Sequence, residues 1–389
     1  MPGIKTVLIA TARVFTGVTL VVSGFVKAID PLGSQYKFQD YLAAMGVSNT
    51  AFEWLTLIAA VLLSTFELTL GVCLLLAIAR RLSTRLLVAF MTVMTLLTVW
   101  IFFENPVQDC GCFGEAFILT NGETLAKNIL LLAVAVFLAW HPMQIQRCLS
   151  KSNQWFVFQG TVAASVLLSL WCLYDLPLID FRPYHIGADI KAGMLVPDNA
   201  EQPEFETTFI LEKGGERREF TLENYPDSTW MFIDSKTVTV KEGYVPPIHD
   251  FEILSPDGED ITESVLNEKD YSFLLVSPNL KYADDQNFGD IDRIYEFCND
   301  RNLPFRCLTA STEEDILNWQ NLTGAEYPFF FTDATTLKTI VRSNPGLVML
   351  KNGVVVGKWS HNRLPNPETL EKMVKKTSSQ EKKLVKKEV

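Results

Sequence analysis

Five long apolar runs occupy the first half of the chain: Thr6–Val26, Trp54–Ala79, Leu86–Phe103, Leu125–Trp140 and Trp155–Leu173. A helix rises about 1.5 Å per residue, so about 20 apolar residues cross a bilayer core and about 17 is the lower limit. The fourth run reaches that length if its helix begins near Asn121-Gly122-Glu123-Thr124, with Asn121 as the cap. The pattern therefore predicts five membrane-spanning helices. After the break Asp30-Pro31-Leu32-Gly33, a further amphipathic helix is expected over Tyr36 to Met45, with Tyr36, Phe38 and Tyr41 at the membrane interface.

Beyond Leu173 the period shortens. From Phe205 to Val240 the chain alternates as strands do: Thr207–Leu211, a turn at Lys213-Gly214-Gly215-Glu216, Glu219–Leu222, then a strand pair at Thr229–Ile233 and Thr237–Val240. From Pro246, strands alternate with helix-period segments. Phe273–Val276 is followed by apolar positions Ile291, Ile294, Tyr295 and Cys298, then by a strand Phe305–Thr309, a helix Thr312–Leu322 and the run Tyr327–Phe331. Leu347–Leu350, an Asn352-Gly353 turn, Val354–Trp359 and a helix capped by Asn366 close the unit. The expected organisation is a bundle over 1–176, a small β module over 183–245, an α/β unit over 246–376 and a disordered basic tail over 377–389.

Charge follows the same division. Residues 1–180 carry ten residues of each sign, so the whole net charge of −11 lies in the remainder. An acidic soluble part repels phosphate backbones and argues against nucleic acid as a partner. Arg80, Arg81 and Arg85 crowd the connection between spans two and three, and Arg147 and Lys151 that between four and five. By the positive-inside rule both face the cytoplasm, which puts the soluble part on the periplasmic side of the inner membrane. Lys27 and Lys37 on the outer side run against that rule. The first run, with Arg13 inside it and no small-x-small exit, reads as a retained span rather than a cleaved signal.

Charges inside spans are costly, and Arg13 and Glu67 both lie on helical stripes of small residues. The two are expected either to form an intramembrane pair or to mark a proton or quinone-headgroup site. The most distinctive segment is Asp109-Cys110-Gly111-Cys112-Phe113-Gly114, in the connection before span four. Cys110 and Cys112 are the candidate redox pair. Two cysteines one residue apart close a very small ring when oxidised, and Gly111 supplies the backbone freedom that ring needs. Asp109 and Glu115 are expected to raise the thiol pKa and slow attack. Three readings stay open: a redox relay, a structural disulfide (within the pair or to Cys172), and a metal site, though two thiolates without histidine make an incomplete zinc site. Cys298 and Cys307 read as unpaired core cysteines or a structural bridge, and His141, His185, His249 and His361 as having no assigned role.

Ser23-Gly24-Phe25-Val26-Lys27-Ala28-Ile29-Asp30-Pro31, Glu67 and the Cys110–Gly114 segment resemble the DoxX-type membrane family, most of all its methylamine-utilisation (MauE) branch as found in Bacteroidota. That resemblance implies a part in forming disulfides beside a thioredoxin-like partner. The unit from Pro246 to Lys376, opening on Asp250-Phe251 and Asp257-Gly258, is similar to envelope-anchored thioredoxin-like proteins, and Pro345 matches their cis-proline. Where that family carries Cys-x-x-Cys, this chain reads Ser277-Pro278-Asn279-Leu280-Lys281. The expectation is an all-α membrane bundle of five transmembrane helices, a small β module and an α/β thioredoxin-like domain. Its expected partners are the lipid bilayer and a periplasmic or membrane protein, with a quinone as the admissible cofactor and no metal. Two functions stand side by side: an envelope thiol-redox or folding relay through Cys110 and Cys112, and a non-catalytic subunit or assembly factor using the soluble domain as a binding surface.

Overall fold

The structure, a computed structural model, describes residues 4–375 apart from 48–52, 108, 109, 118, 198, 202, 203, 214, 215, 222, 223, 225, 227, 228 and 242. The expected basic tail therefore lies outside the described residues, as does Asp109. Five helices are long and apolar enough to cross a membrane: α1 (Ile4–Ile29), α3 (Glu53–Leu75), α4 (Arg80–Glu104), α5 (Asn121–Trp140) and α6 (Lys151–Tyr174). The short helix α2 (Pro31–Ala44) follows α1 and is capped by Asp30, whose side chain accepts from Gly33 N–H. The cap of α5 differs from the expectation. Thr120, not Asn121, accepts from the Glu123 N–H, and Glu123 returns the bond to the Thr120 backbone, a reciprocal capping box. Asn121 instead donates to Asn105 Oδ1 and Val107 O, tying the two ends of the loop together.

Helices α1 and α3 form the tightest pair, because glycines let their backbones approach. A Cβ added at Gly71 would stand 2.9 Å from Gly17 O, and one at Gly24 would meet the backbone of Ser64 and Leu68. This fixes an antiparallel register in which residue 24 lies beside residues 64–68.

The small module is a three-stranded antiparallel sheet in the order β2-β1-β3, from β1 (Glu204–Lys213), β2 (Glu216–Thr221) and β3 (Met231–Lys241). The strand pair expected at Thr229–Ile233 and Thr237–Val240 is one strand, kinked where the register shifts between Ile210 and Leu211 of its partner. A bulge carries the chain across without a turn.

The last domain has a five-stranded sheet in the order β6-β5-β4-β7-β8. Its strands are β4 (Tyr271–Ser277), β5 (Phe305–Thr309), β6 (Phe329–Phe331), β7 (Gly346–Lys351) and β8 (Val354–Ser360). β4, β5 and β6 pair in parallel, β7 runs antiparallel to both of its neighbours β4 and β8, and the Asn344–Pro345 peptide bond is cis. One face packs α9 (Phe288–Asn299), α10 (Glu313–Thr323) and the helix over 367–375, through Ile291, Phe297, Trp319 and Leu370. The other packs α7 (Ile190–Met194), α8 (Thr262–Leu266) and α11 (Ala334–Ile340), through Ile190, Leu266, Leu337 and Ile340. This is a thioredoxin-like α/β layering, and α11 is one helix the periodicity did not announce. Tyr184 and Ile190 belong to this core, so the unit draws in residues upstream of the small sheet as well as those after 246. Both sheet edges are covered, β6 by Leu254 bridging Phe331 and β8 by Asp189 bridging Val354.

The soluble domain is seated on the bundle by charge. Arg342, 4% exposed, makes a fork of hydrogen bonds to the Asp30 carboxylate at 2.9 and 3.0 Å. Arg342 and Lys338 also stand over the Tyr36 ring, at 5.3 and 4.9 Å from its centroid. Tyr36 therefore faces cations of the soluble domain rather than the lipid interface expected of it. Arg363 pairs with Asp175 at 2.6 Å beside the end of α6, and Asn362 donates to Tyr174 O. In the connection, Asp180 holds both Arg182 and Lys358, at 2.7 and 2.6 Å.

Candidate functional site: a buried dithiol loop

The connection between α4 and α5 places Cys110 Sγ 3.2 Å from Cys112 Sγ, neither of them bonded to another cysteine. Gly111 between them has φ +63°, in the left-handed region that side chains avoid, and a Cβ there would press on Lys37 Cγ at 3.1 Å. Both cysteines are buried, at 7% and 9% exposure, against Tyr41, Phe38, Ile101 and Phe113. Their carbonyls are held from two directions. Tyr41 Oη donates to Cys110 O at 2.7 Å, and Lys27 Nζ donates to Cys112 O at 2.6 Å.

Lys27 is the centre of a small polar knot. Its ammonium also donates to Ser23 Oγ at 2.7 Å and to Glu67 Oε2 at 2.8 Å. Ser23 Oγ lies within hydrogen-bond reach of both Glu67 Oε2 and Cys112 O. The expected pair of Arg13 with Glu67 is thus corrected: Glu67 pairs with Lys27, with both side chains at 5% exposure or less. The reason is the glycine-set register, which brings Glu67 level with Ser23 and Gly24 towards the C-terminal end of α1. Arg13, more than three turns away, points its guanidinium towards Cys148 Sγ at 3.7 Å. The sequence had a signal for Lys27, a cation four residues after Ser23 on one helix face and on the wrong side for the positive-inside rule. Tyr41 carried no such signal.

This setting changes the thiols. The hydrogen bond with Cys110 lowers the Cys112 pKa to about 6; burial opposes it, while Lys127 and Lys27 favour the thiolate and Glu67 disfavours it. Cys110 is pushed up, by that same bond and by burial. Of the two, Cys112 is the sulfur on which the anion is favoured. Of the acidic neighbours expected to slow the thiols, Asp109 lies outside the described residues, and the charges acting on Cys112 are Lys127, Lys27 and Glu67 rather than Glu115. Lys127, on α5, is held 4.4 Å from the Phe113 ring centroid.

Two small cavities flank the loop, each of ≈ 30 Å³. One, on the bundle side, is lined by Cys112, Lys27, Glu67, Lys127, Asn128 and Met94. The other, on the side of the soluble domain, is lined by Gly111, Lys27, Asp30, Lys37, Glu115 and Phe181. Lys27 borders both. Among the described residues no group of three or more His, Cys, Asp or Glu gathers as metal ligands do.

The soluble domain offers a different arrangement. After β4, Ser277 Oγ donates to Asn344 Oδ1 at 2.7 Å, Asn344 Nδ2 donates to Asn279 O at 2.8 Å, and Asp284 N–H donates to Asn344 O at 2.9 Å. Ser343, beside Pro345, lies 2.8 Å from His361 Nδ1, so His361 helps pin that loop. Cys298 and Cys307 are fully buried in the core and unbonded to each other; burial pushes the Cys298 thiol up to about 12 and raises Cys307 as well. Cys172 is buried in α6 and bonded to neither member of the pair.

Among curated proteins, none matches this chain. Residues 205–242, the small sheet, match a family described as a domain of unknown function (DUF8463). Among solved structures, the chain is similar to the solution structure of a Bacteroides thetaiotaomicron protein described provisionally as a protein disulfide isomerase. The identity is 16% and the TM-score 0.26, over 33% of this chain and 84% of that one, too slight a likeness to bear on activity. Residues 5–141, the part of the chain that holds Lys27, Glu67, Cys110 and Cys112, match the family described as methylamine utilisation protein MauE.

Proposed function

We propose that this chain is an envelope thiol-redox relay of the inner membrane, with its soluble domain on the periplasmic side, and that Cys110 and Cys112 carry the exchange. The observation that supports it best is the 3.2 Å approach of two thiols of which one is favoured as thiolate. The lower-pKa sulfur is the better leaving group. A client thiolate attacks Cys110 Sγ of the oxidised pair, the Cys110–Cys112 bond breaks, and the electron pair leaves on Cys112. A second client thiol then attacks the mixed disulfide, so the client loses two electrons and two protons and the pair becomes a dithiol. A lipid-soluble quinone would supply the oxidising equivalents, since it can accept the two electrons and two protons that the dithiol gives up on returning to the disulfide. Lys127, which borders the bundle-side cavity beside Cys112, is the donor that would hold the quinone carbonyl; the Asn128 amide there already donates to Thr98 Oγ1 and Met94 O. Both cysteines are buried, so exchange with a protein requires the loop between α4 and α5 to open.

The test is activity in cells. Cys110→Ser and Cys112→Ser should each abolish it, and Cys112→Ala should accumulate a client joined to Cys110. Full activity in both serine variants would overturn the relay. It would leave the second reading, a non-catalytic subunit or assembly factor, which the cysteine-free, internally bonded Ser277–Asn279–Asn344 loop favours. Sidedness is read at Cys148, the one exposed cysteine among the seven. A thiol reagent that does not cross membranes should spare it in intact cells and label it in inverted vesicles.

A further inference from the structure

We propose that Lys27 is the positioning residue that sets the reactivity of Cys112, with Glu67 on the neighbouring span as its counterweight. This rests on the reading of Cys112 as the leaving thiolate. The three ammonium protons of Lys27 are all placed, on Cys112 O, Ser23 Oγ and Glu67 Oε2 at 2.6, 2.7 and 2.8 Å. None remains for a sulfur. Lys27 therefore does not touch the reacting atom; it fixes the backbone that carries it and acts on it by charge. In a buried setting that charge is felt strongly, because little water intervenes. Glu67 sits in the same knot with the opposite sign, so the field at Cys112 is a difference between two nearby charges.

The other titratable groups facing Cys112 are Cys110 on its own loop and Lys127 on α5. From α4 it meets Met91 and Met94 across the bundle-side cavity, and neither titrates. From α2, Tyr41 donates to the Cys110 carbonyl and its hydroxyl also acts on the Cys110 thiol, one residue removed from Cys112. Lys127 has the same sign as Lys27, but it lies over the Phe113 ring and no hydrogen bond joins it to the Cys112 backbone among the bonds described. Lys27 is the cation that both anchors the Cys112 carbonyl and carries a balancing carboxylate.

The inference separates two roles that mutagenesis usually confounds. Lys27→Met and Glu67→Gln break the same ion pair, and if the pair were only a brace both would move Cys112 in the same direction. If it sets the field, they move it in opposite directions. Methionine keeps the length of the stem without its charge, and glutamine keeps an acceptor for Lys27 and Ser23 without its charge.

The experiment uses the full chain carrying Cys110→Ser, in lipid nanodiscs. The rate of iodoacetamide alkylation at Cys112 is followed against pH by mass spectrometry of its peptide. Lys27→Met should raise the apparent pKa by about one unit, Glu67→Gln should lower it by about half a unit or more, and Lys27→Arg should stay close to the parent. Where a single variant does not accumulate, Lys27→Met with Glu67→Gln replaces it, and its titration should return towards the parent. Shifts of the same sign in the two single variants, no shift in either, or a double variant displaced by a full unit would each overturn the proposal. Failure of the relay is read elsewhere, from the cellular activity of the serine variants, so the two readings fall separately.

Discussion

Two polar clusters, one in the helical bundle and one in the soluble domain, are built from different materials. In the bundle, Lys27, Glu67 and Ser23 gather charge around the backbone of a cysteine. In the soluble domain, Ser277, Asn279 and Asn344 gather neutral amide and hydroxyl groups around a loop without cysteine. Neutral hydrogen bonds fix a shape and leave little field behind them, whereas a charged knot also alters the chemistry of whatever it surrounds. One chain thus keeps its paired cysteines beside a charged knot in the bundle and a neutral, cysteine-free hydrogen-bonded loop in the soluble part. The Arg342–Asp30 fork joins the two.

The sharpest way to break this comparison is to cut that fork. Burial pushes the Asp30 carboxyl up, yet Arg342, Arg182 and the Gly33 N–H together outweigh it and hold the carboxyl below the ordinary carboxylate range. Arg342→Ala should cost the docked arrangement about 3–5 kcal/mol, since it leaves a buried carboxylate without its partner. Hydrogen exchange of α11 and α2 should rise together, and Arg342→Leu with Asp30→Asn should be milder than the single change. If exchange in α2 stays as it was, the two halves are not coupled through this pair.

A second effect should appear on raising the pH. Burial, with Arg182 and Arg342 adding to it, brings the Lys358 pKa down to about 8 from 10.5, although Asp180 pulls the other way. Below pH 8 the folded state bears the cost of that buried cation. Between about 8 and 10.5 the unfolded chain binds more protons than the folded one, so stability rises with pH, by an amount on the order of 3 kcal/mol from this group. Thermal unfolding of the soluble domain should show the rise, and Lys358→Met should flatten it.

The smallest effects belong to the neutral cluster and the core cysteines. Cys298→Ala and Cys307→Ser should cost on the order of 1 kcal/mol without loss of cellular function. Ser277→Ala should cost about 1 kcal/mol and leave the titration of Cys112 where it was. A Ser277 variant that moved Cys112 would show the two clusters to be one.

The sequence carried the large-scale plan because its signals are local. Apolar length announced the five spans, and alternation of strand and helix periods announced the thioredoxin-like layering, down to a strand at Phe305–Thr309 that the structure has with the same bounds. What it hid depends on distances across elements. The partner of Glu67 is decided by how Gly17, Gly24 and Gly71 set the register of α1 against α3, which no single segment records. The seat of Tyr36 depends on where Lys338 and Arg342, some three hundred residues later, come down. The candidate site was half legible: Cys110, Gly111, Cys112 and the individual residues Lys27 and Glu67 could be read, whereas the joining of Lys27 to Glu67 and the placing of Tyr41 and Lys127 around the loop came only with the fold.

The covered edges of the soluble sheet narrow how this domain could hold another protein. An extended peptide commonly binds by adding a strand, which requires unpaired backbone groups along an edge or a loop. Here Leu254 pairs with Phe331 on β6, and residues 187–190 pair with Gly353 and Val355 at β8. The carbonyl of Asn344, beside the cis-proline, already accepts the Asp284 N–H. At these three places strand addition would first have to displace the chain's own backbone. An extended peptide would compete there with the chain's own hydrogen bonds, whereas side-chain surfaces elsewhere on the domain carry no such cost.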